Sequence, residues 1–356
     1  MKISKKIFAW SCDLKNNQGE GILGNQFLLE LSKHSKRKII ATSPTFVNFY
    51  HKGKLVNQKK NKSLIFKRQK FGSLIEKYFN PIYGITYLWF SFFRGRMPCY
   101  VNYLPLWNTL LYVLLPPTTI LGPITGGRAL SSSNTLGLLI RKYFFPILYK
   151  LNLIILSYRN KYLLFSTDIL AEYISKKDEK FAIFNFNFSS FTPIKKLRKK
   201  KKIDLILYYR KHPTKKIFLL NDIVKKLLKL SLNIHVVGDK LEIDGIKNHG
   251  YVIRKRMFDL LLNSKFTIAS GENFHSIFVL DSISSNVKVF FDKKNIPKNF
   301  ILERKNFIKI NFNDPTKSYY IIKKNIKTNS MFVKNRLGNL IRLEKKFIKY
   351  FNMFDT

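Results

Sequence analysis

The chain has only two cysteines in 356 residues, Cys12 and Cys99. So few exclude a disulfide framework, and their separation matches no zinc-ligand spacing. Both read as small core residues of a protein in a reducing compartment. Acids are scarce as well. There are 21 Asp+Glu against 65 Lys+Arg, a formal net charge of +44, and no acidic metal triad is visible. The N-terminal apolar run, IFAW, is too short for the core of a signal peptide. One long uncharged run exists, from Met97 to Gly127. It contains Pro105, Pro116, Pro117 and Pro123 and reads as interior or interfacial structure, not as a membrane span. What is present is apolar: 46% hydrophobic and 15% aromatic residues, too many for a disordered chain. The positive field attracts polyanions and anionic membrane surfaces. Its lysines arrive with many Ile, Asn, Phe, Leu and Tyr, the mixture that AT-rich coding produces, so charge alone names no partner.

The length suits two domains. KIFAWS at 6–11 reads as a buried strand, DLKNNQGEG as a glycine-bearing loop, Ile22–Leu31 as a helix and KIIA at 38–41 as a second strand. This rhythm belongs to a parallel α/β layer. Residues 71–158 are aromatic, basic and helix-prone. YLLFS at 162–166 reads as a strand leading to Asp168 and a helix DILAEYI. KKLRKKKK at 195–202 reads as a solvated hinge that is not buried. Beyond it the α/β rhythm restarts, with strands at 203–208, 233–237, 266–269 and 287–291. Helices are predicted at 218–229, 257–263 and 274–284, and one or two closing helices over 331–354. The fold class is therefore α/β, with two Rossmann-like doubly wound domains facing a cleft. The predicted boundaries are 1–197, 203–328 and a closing segment 329–356.

Ligands of open α/β sheets bind beyond the carboxyl ends of the strands, and four polar clusters fall there. NNQGEGILGN places Gly19, Glu20, Gly21 and Gly24 between strand and helix, where backbone and free N–H groups can approach a ligand. On its own this stretch reads equally as an ordinary turn. ILGPITGG supplies Gly122, Pro123, Gly126 and Gly127, again either a special loop or a plain turn. YYRKHPTKK sets Arg210 and Lys215 five apart, so that a phosphate meets a guanidinium and an ammonium together. ASGENFHSIFVLDS brackets a short helical run with Glu272 and Asp281, two scarce acids beside apolar flanks.

In this order the four clusters resemble the retaining GT-B glycosyltransferases, the group that moves sugars from nucleotide-sugar donors in polysaccharide and lipopolysaccharide assembly. GEGILG is similar to the loop of the family's acceptor domain, GPITGG to a recurrent Gly-Pro-x-x-Gly-Gly element, and YYRKHPTK to its strand-end Arg and Lys. HVVGD is similar to the next strand and turn, and GENFHSIFVLDS to its signature of two acids around a short helix. The second acid stands one place later than usual, with Leu280 at the family's position. Tyr209 replaces a glycine, and Lys288 a proline.

The resemblance implies roles. Arg210 and Lys215 neutralise the departing diphosphate, and Glu272 orients the donor sugar. Asp281 accepts hydrogen bonds from the ribose diol. Gly19, Glu20 and Gly21, with Gly271, Asn273 and Phe274, complete the donor site, while Gly122, Pro123, Gly126 and Gly127 form an acceptor loop. The nucleotide sugar is a substrate, and no cofactor or metal is implied. His275 reads as a helix-surface histidine rather than a base. The implied partners are a nucleotide-sugar donor, a glycan or lipid-linked acceptor, and an anionic membrane surface touched by basic aromatic segments such as KYFFPILY at 142–149. This places the chain in the cytoplasm, peripheral to the inner face of a membrane. Two other readings stay open: a nucleic-acid-binding protein drawn by the charge, against which the lysines are spread along the whole chain, and a catalytically degenerate GT-B scaffold.

Overall fold

The computed structural model describes residues 6–14, 19–62, 73–127 (backbone only for 73–78), 139–176, 178–191, 201–211, 220–269, 274–293, 301–328, 332–333 and 338–355. The chain divides into two compact units. The first holds Met1–Gly127, Asn134–Ser189 and Leu343–Thr356; the second holds Arg128–Ser133 and Ser190–Arg342.

The first unit is built on strands β1 (Lys6–Trp10), β2 (Lys38–Thr42), β3 (Phe46–His51), β4 (Lys54–Lys60), β5 (Met97–Tyr100) and β6 (Ile120–Leu121). Their order is β4-β3-β2-β1-β5-β6. The segment from β2 to β6 through β1 and β5 is parallel, as predicted for an α/β layer, whereas β3 and β4 form an antiparallel hairpin that periodicity did not reveal. Its turn is Lys52–Gly53, both at positive φ, the left-handed pair that matches the twist of a two-residue hairpin. Helix α1 (Gly19–His34) crosses from β1 to β2, and α2 (Ser73–Phe93) leads into β5. One core lies around α1, with Phe27, Leu28 and Leu31 against Ile7, Ala9 and Ile39. A second, around Trp10, Leu88 and Tyr100, also takes the inner faces of α3 (Thr109–Leu114) and α4 (Phe145–Arg159). The uncharged 97–127 run is thus largely buried strand and a short helix, α3, with one buried and one exposed side. Among the described residues no helix is long and apolar enough to cross a membrane.

Two predicted elements of this unit come out differently. The strand at 162–166 shrinks to β7 (Leu163–Leu164), paired with β8 (Ala182–Ile183). The helix expected over DILAEYI is a single 3₁₀ turn, Ala171–Tyr173. Only a few residues separate Asp168 from the polar turn at Ser175–Asp178, and so short a segment gains too few hydrogen bonds to offset helix nucleation.

The second unit holds β9 (Ile203–Tyr209), β10 (Ile234–Gly238), β11 (Lys247–Asn248), β12 (Ser264–Ile268), β13 (Lys288–Asp292) and β14 (Phe307–Ile310). All are parallel, in the order β11-β10-β9-β12-β13-β14. Numbered from β9, this is the 3-2-1-4-5-6 arrangement of a doubly wound dinucleotide-binding sheet. Helices α5 (Leu220–Leu228), α6 (Arg254–Leu262) and α7 (Ile277–Ser284) lie between strands of this sheet, and α8 (Pro315–Lys327) follows its last strand. The predicted basic hinge lies mostly outside the described residues. At its end Lys201 departs from the expectation of a solvated run. It is half-buried, and its amine donates to the carbonyls of Asn286 (2.6 Å) and Ser285 (3.4 Å) just past the C-terminus of α7. Burial lowers its pKa to about 8. The closing segment contains one described helix, α9 (Gly338–Asn352), whose Phe347, Tyr350 and Phe351 complete the core around α1.

Candidate functional site

In the second unit the strand order reverses between β9 and β12. Loops leaving the carboxyl ends of such strands diverge and leave a crevice there. Arg210 follows β9 directly, half-buried. The backbone around it is tied down. The Lys211 N–H donates to Asp239 Oδ2 (2.6 Å), the Asp239 N–H donates to the Tyr209 carbonyl (2.9 Å), and the Tyr251 hydroxyl donates to Asp239 Oδ1 (2.7 Å). The Tyr251 and Lys211 donors, with Arg210 and Lys211 nearby, hold the Asp239 carboxyl below its usual range. Gly238 makes this junction possible. Its φ is +98°, and a Cβ there would lie 2.2 Å from the Tyr209 carbonyl oxygen. Asp239 and Tyr251 were not singled out by their residue types. Their signal was position: each follows, or nearly follows, a strand.

Past β12, the Ala269 N–H donates to the Phe290 carbonyl (2.8 Å). Gly271, Glu272 and Asn273, and on the other loop Lys215, lie outside the described residues. Phe274 is a core anchor: its ring packs on Phe307 (centroids 4.7 Å) and Phe291 (5.0 Å). His275, expected on a helix surface, is buried and sits edge-on to Phe274 in the turn before α7. The helix starts three residues later than predicted because Ser276 caps it, its hydroxyl accepting from the Val279 N–H (3.3 Å).

Asp281 is 4% exposed. Both of its oxygens are engaged by Arg254, at 2.7 Å from Nη2 and 3.3 Å from Nε. Burial pushes its carboxyl up, and the guanidinium opposes the rise. Arg254 opens α6 and also reaches the Ser190 carbonyl (3.5 Å). Sequence reasoning missed it, since one more basic residue in a basic chain carries no signal.

In the first unit the reversal falls between β1 and β5, and Asn102, just past β5, organises it. Its Oδ1 accepts from the Ser11 hydroxyl (3.0 Å) and the Cys12 N–H (2.9 Å). Its Nδ2 donates to the carbonyls of Asp13 (2.7 Å) and Glu20 (3.4 Å). One amide thereby joins the end of β1 to the first turn of α1, where Gly19, Glu20 and Gly21 stand. Glu20 complements the helix dipole there. Asn25 Nδ2 donates to the Gly21 and Leu14 carbonyls (2.9 Å each). The GPITGG segment is drawn into sheet-like pairing. The Gly122 N–H donates to the Tyr100 carbonyl (2.8 Å), Ile124 to Leu164 (2.7 Å), and the Tyr149 hydroxyl to the Gly127 carbonyl (3.0 Å). A Cβ on Gly122 would lie 1.8 Å from the Val101 carbonyl oxygen, so the close approach itself demands glycine. Pro123 and Gly126 continue this segment, with Gly126 against the Leu170 side chain. Among the described residues no cluster of His, Cys, Asp and Glu is placed to hold a metal ion.

No protein-family model matches the sequence, and no curated protein aligns with it significantly. Solved structures do match its fold. Sucrose-phosphate synthase from Thermosynechococcus elongatus superposes with a TM-score of 0.59 at 10% identity, covering 98% of this chain and 95% of that one. A glycosyltransferase from Rickettsia africae gives 0.50 at 14% identity, covering 98% and 93%. S. aureus TarM gives 0.48 at 15% identity; the match covers 87% of this chain but only 65% of TarM. The chain thus has the mixed α/β, parallel-sheet fold of the GT-B type.

Proposed function

We propose that the chain is a glycosyltransferase that moves a sugar, with retention, from a nucleotide-sugar donor to a glycan or lipid-linked acceptor. The observation that carries the reading is the second unit's 3-2-1-4-5-6 sheet, with Arg210 at its switch point on a backbone braced by Asp239 and Tyr251. Two proteins of the same fold, a sucrose-phosphate synthase and a glycosyltransferase, support it. In the reaction the bond from the anomeric carbon to the diphosphate breaks and a bond to the acceptor oxygen forms. The acceptor's proton leaves with the diphosphate. Negative charge grows on that diphosphate, where Arg210 and Lys215 stabilise the transition state more than the ground state. Glu272 and Asn273 hold the sugar hydroxyls, and Gly271 lets the backbone approach. Asp281 serves this site through Arg254, the cation it holds. The pathway is cell-surface polysaccharide or lipopolysaccharide assembly, and the enzyme works at the cytoplasmic face of a membrane.

A thermal-shift panel of nucleotide sugars and free nucleotides tests the donor. A bound donor raises the melting temperature by mass action, by about 2.7 kcal/mol of stability at a hundredfold excess over Kd. Mass spectrometry of the products then identifies the sugar. Glu272→Ala abolishes transfer while donor still stabilises the protein, and Arg210→Ala lowers turnover roughly a hundredfold. Full turnover by the Glu272 variant rejects its role. The engagement of Asp281 by Arg254 favours one second reading, a GT-B scaffold without activity, for which no nucleotide sugar in the panel shifts the melt.

A further inference from the structure

Helix α4 is apolar on both sides. Its inner side buries Tyr149, Asn152 and Leu156. Its outer side, with the π-helical turn Ile140–Phe144 that runs into it, exposes Ile140, Tyr143, Ile147, Leu151, Ile154 and Tyr158. These positions recur at steps of three and four and form one continuous stripe. Neighbouring helices do the same. On α3, Leu110, Val113 and Leu114 face outward, and on α2, Phe90 and Phe93. The three helices are joined. Asn152 Nδ2 reaches the Leu106 carbonyl, the Arg159 guanidinium reaches the Tyr112, Leu115 and Pro116 carbonyls, and Trp89 Nε1 donates to the Leu114 carbonyl (2.7 Å). Single exposed apolar residues are ordinary. Ordered stripes on adjacent helices mark a surface that something covers.

Charge says what covers it. No acidic residue occurs between Glu76 and Asp168, a stretch that contains α3, α4 and most of α2. Lys142, Lys150 and Arg94 are exposed beside the stripes. Arg94 lies over the Phe90 ring (3.7 Å), and Lys142 over Tyr143 (5.0 Å). Such cations reach outward while their stems lie on apolar surface. A second copy docked symmetrically would set this basic, acid-free face against itself. An anionic bilayer offers both missing halves, an acyl layer for the stripes and phosphates for the cations.

We propose that the outer faces of α2, α3 and α4 are the surface by which this protein lies on an anionic bilayer, with the α4 stripe inserted at the headgroup–acyl boundary. The proposal deepens the membrane reading above and rests on it. Failure here leaves the sugar-transfer reading to its own thermal-shift test, because binding is measured on the full chain without donor.

Phosphatidylcholine vesicles with and without phosphatidylglycerol are the probes, at low and high salt. The wild type binds the anionic vesicles and keeps part of that binding at high salt. The triple variant Ile147→Ser, Leu151→Ser, Ile154→Ser, which keeps the charge, partitions roughly a hundredfold more weakly. Leu55→Ser with Val56→Ser, exposed positions on β4, binds like the wild type. Trp107 is exposed and stacks on Phe145 at the start of α4 (ring centroids 5.4 Å), so bromine-labelled lipid quenches its emission, read as the difference between wild type and Trp107→Phe. Quenching is independent of how well the triple variant folds. Equal binding by the two serine variants together with no Trp107 quenching overturns the proposal, since charge alone then explains adsorption. So does a dimer in sedimentation that the triple variant dissociates, which assigns the face to a second copy.

Discussion

Burying a carboxylate in the middle of a helix removes its water, and only a strong partner offsets that loss. Among the described residues Asp281 has one partner of full charge, Arg254, whose own side chain is 29% exposed. The two ends of this pair therefore differ in what their loss does. Arg254→Met strands the buried carboxylate and is expected to destabilise the protein by about 3 kcal/mol. Asp281→Leu leaves a guanidinium that can still reach water and costs about 1 kcal/mol. The double variant lies near the milder single, because neither charge is then stranded. Urea denaturation of the four proteins measures this, and additive losses would show the pair to be uncoupled. The second acid was legible in the sequence by its rarity. Its occupation by Arg254 was not, because the partners lie 27 positions apart and lysine and arginine are everywhere in this chain.

The same limit appears among whole elements. The core strands were readable as short apolar runs between polar loops, and β9, β10, β12 and β13 fall within a residue or two of their predicted bounds. The β3–β4 hairpin was not readable: β4, KLVNQKK, is exposed throughout and shows no alternation. Helix α2 was obscured by Pro81 in its interior. At the edge of the second sheet, β10 and β11 place two histidines in contact. His235 Nδ1 lies 3.0 Å from His249 Nε2, and His235 Nε2 lies 3.0 Å from Asn233 Oδ1. Burial first, then the His249 and Lys247 charges, lower the His235 pKa from 6.5 to about 4. Below pH 6.5 the unfolded chain takes up a proton that the folded one refuses, so stability falls as pH drops from 6.5 towards 4 and is fully present above that window. The urea midpoint is expected to decline over this range, and less steeply in His235→Gln. An identical slope in the two proteins would remove the histidine from the account.

At the scale of the molecule, the chain's last helix matters for its first. Sequence periodicity predicted a helix here but not where it docks. Phe351 packs against Phe27 (5.5 Å) and Phe186 (6.0 Å), and the Tyr350 hydroxyl donates to the Leu121 carbonyl (2.6 Å). Lys36 pairs with Asp355 at 2.7 Å, but this contact is exposed and contributes little. The docking energy lies in the rings. Full burial of Phe351 predicts a cost of about 4 kcal/mol for Phe351→Ala, a transfer loss plus a cavity. The readout is built in: all three tryptophans, Trp10, Trp89 and Trp107, belong to the first unit, so tryptophan emission follows its unfolding. If α9 completes the core around α1, this substitution near the end of the chain lowers the melting temperature seen by those tryptophans. Lys36→Ala, which removes only the surface ion pair, leaves that temperature within a degree or so, since such pairs contribute under about 1 kcal/mol. An unmoved tryptophan melt in Phe351→Ala would mean that the first unit holds its core without the C-terminal helix.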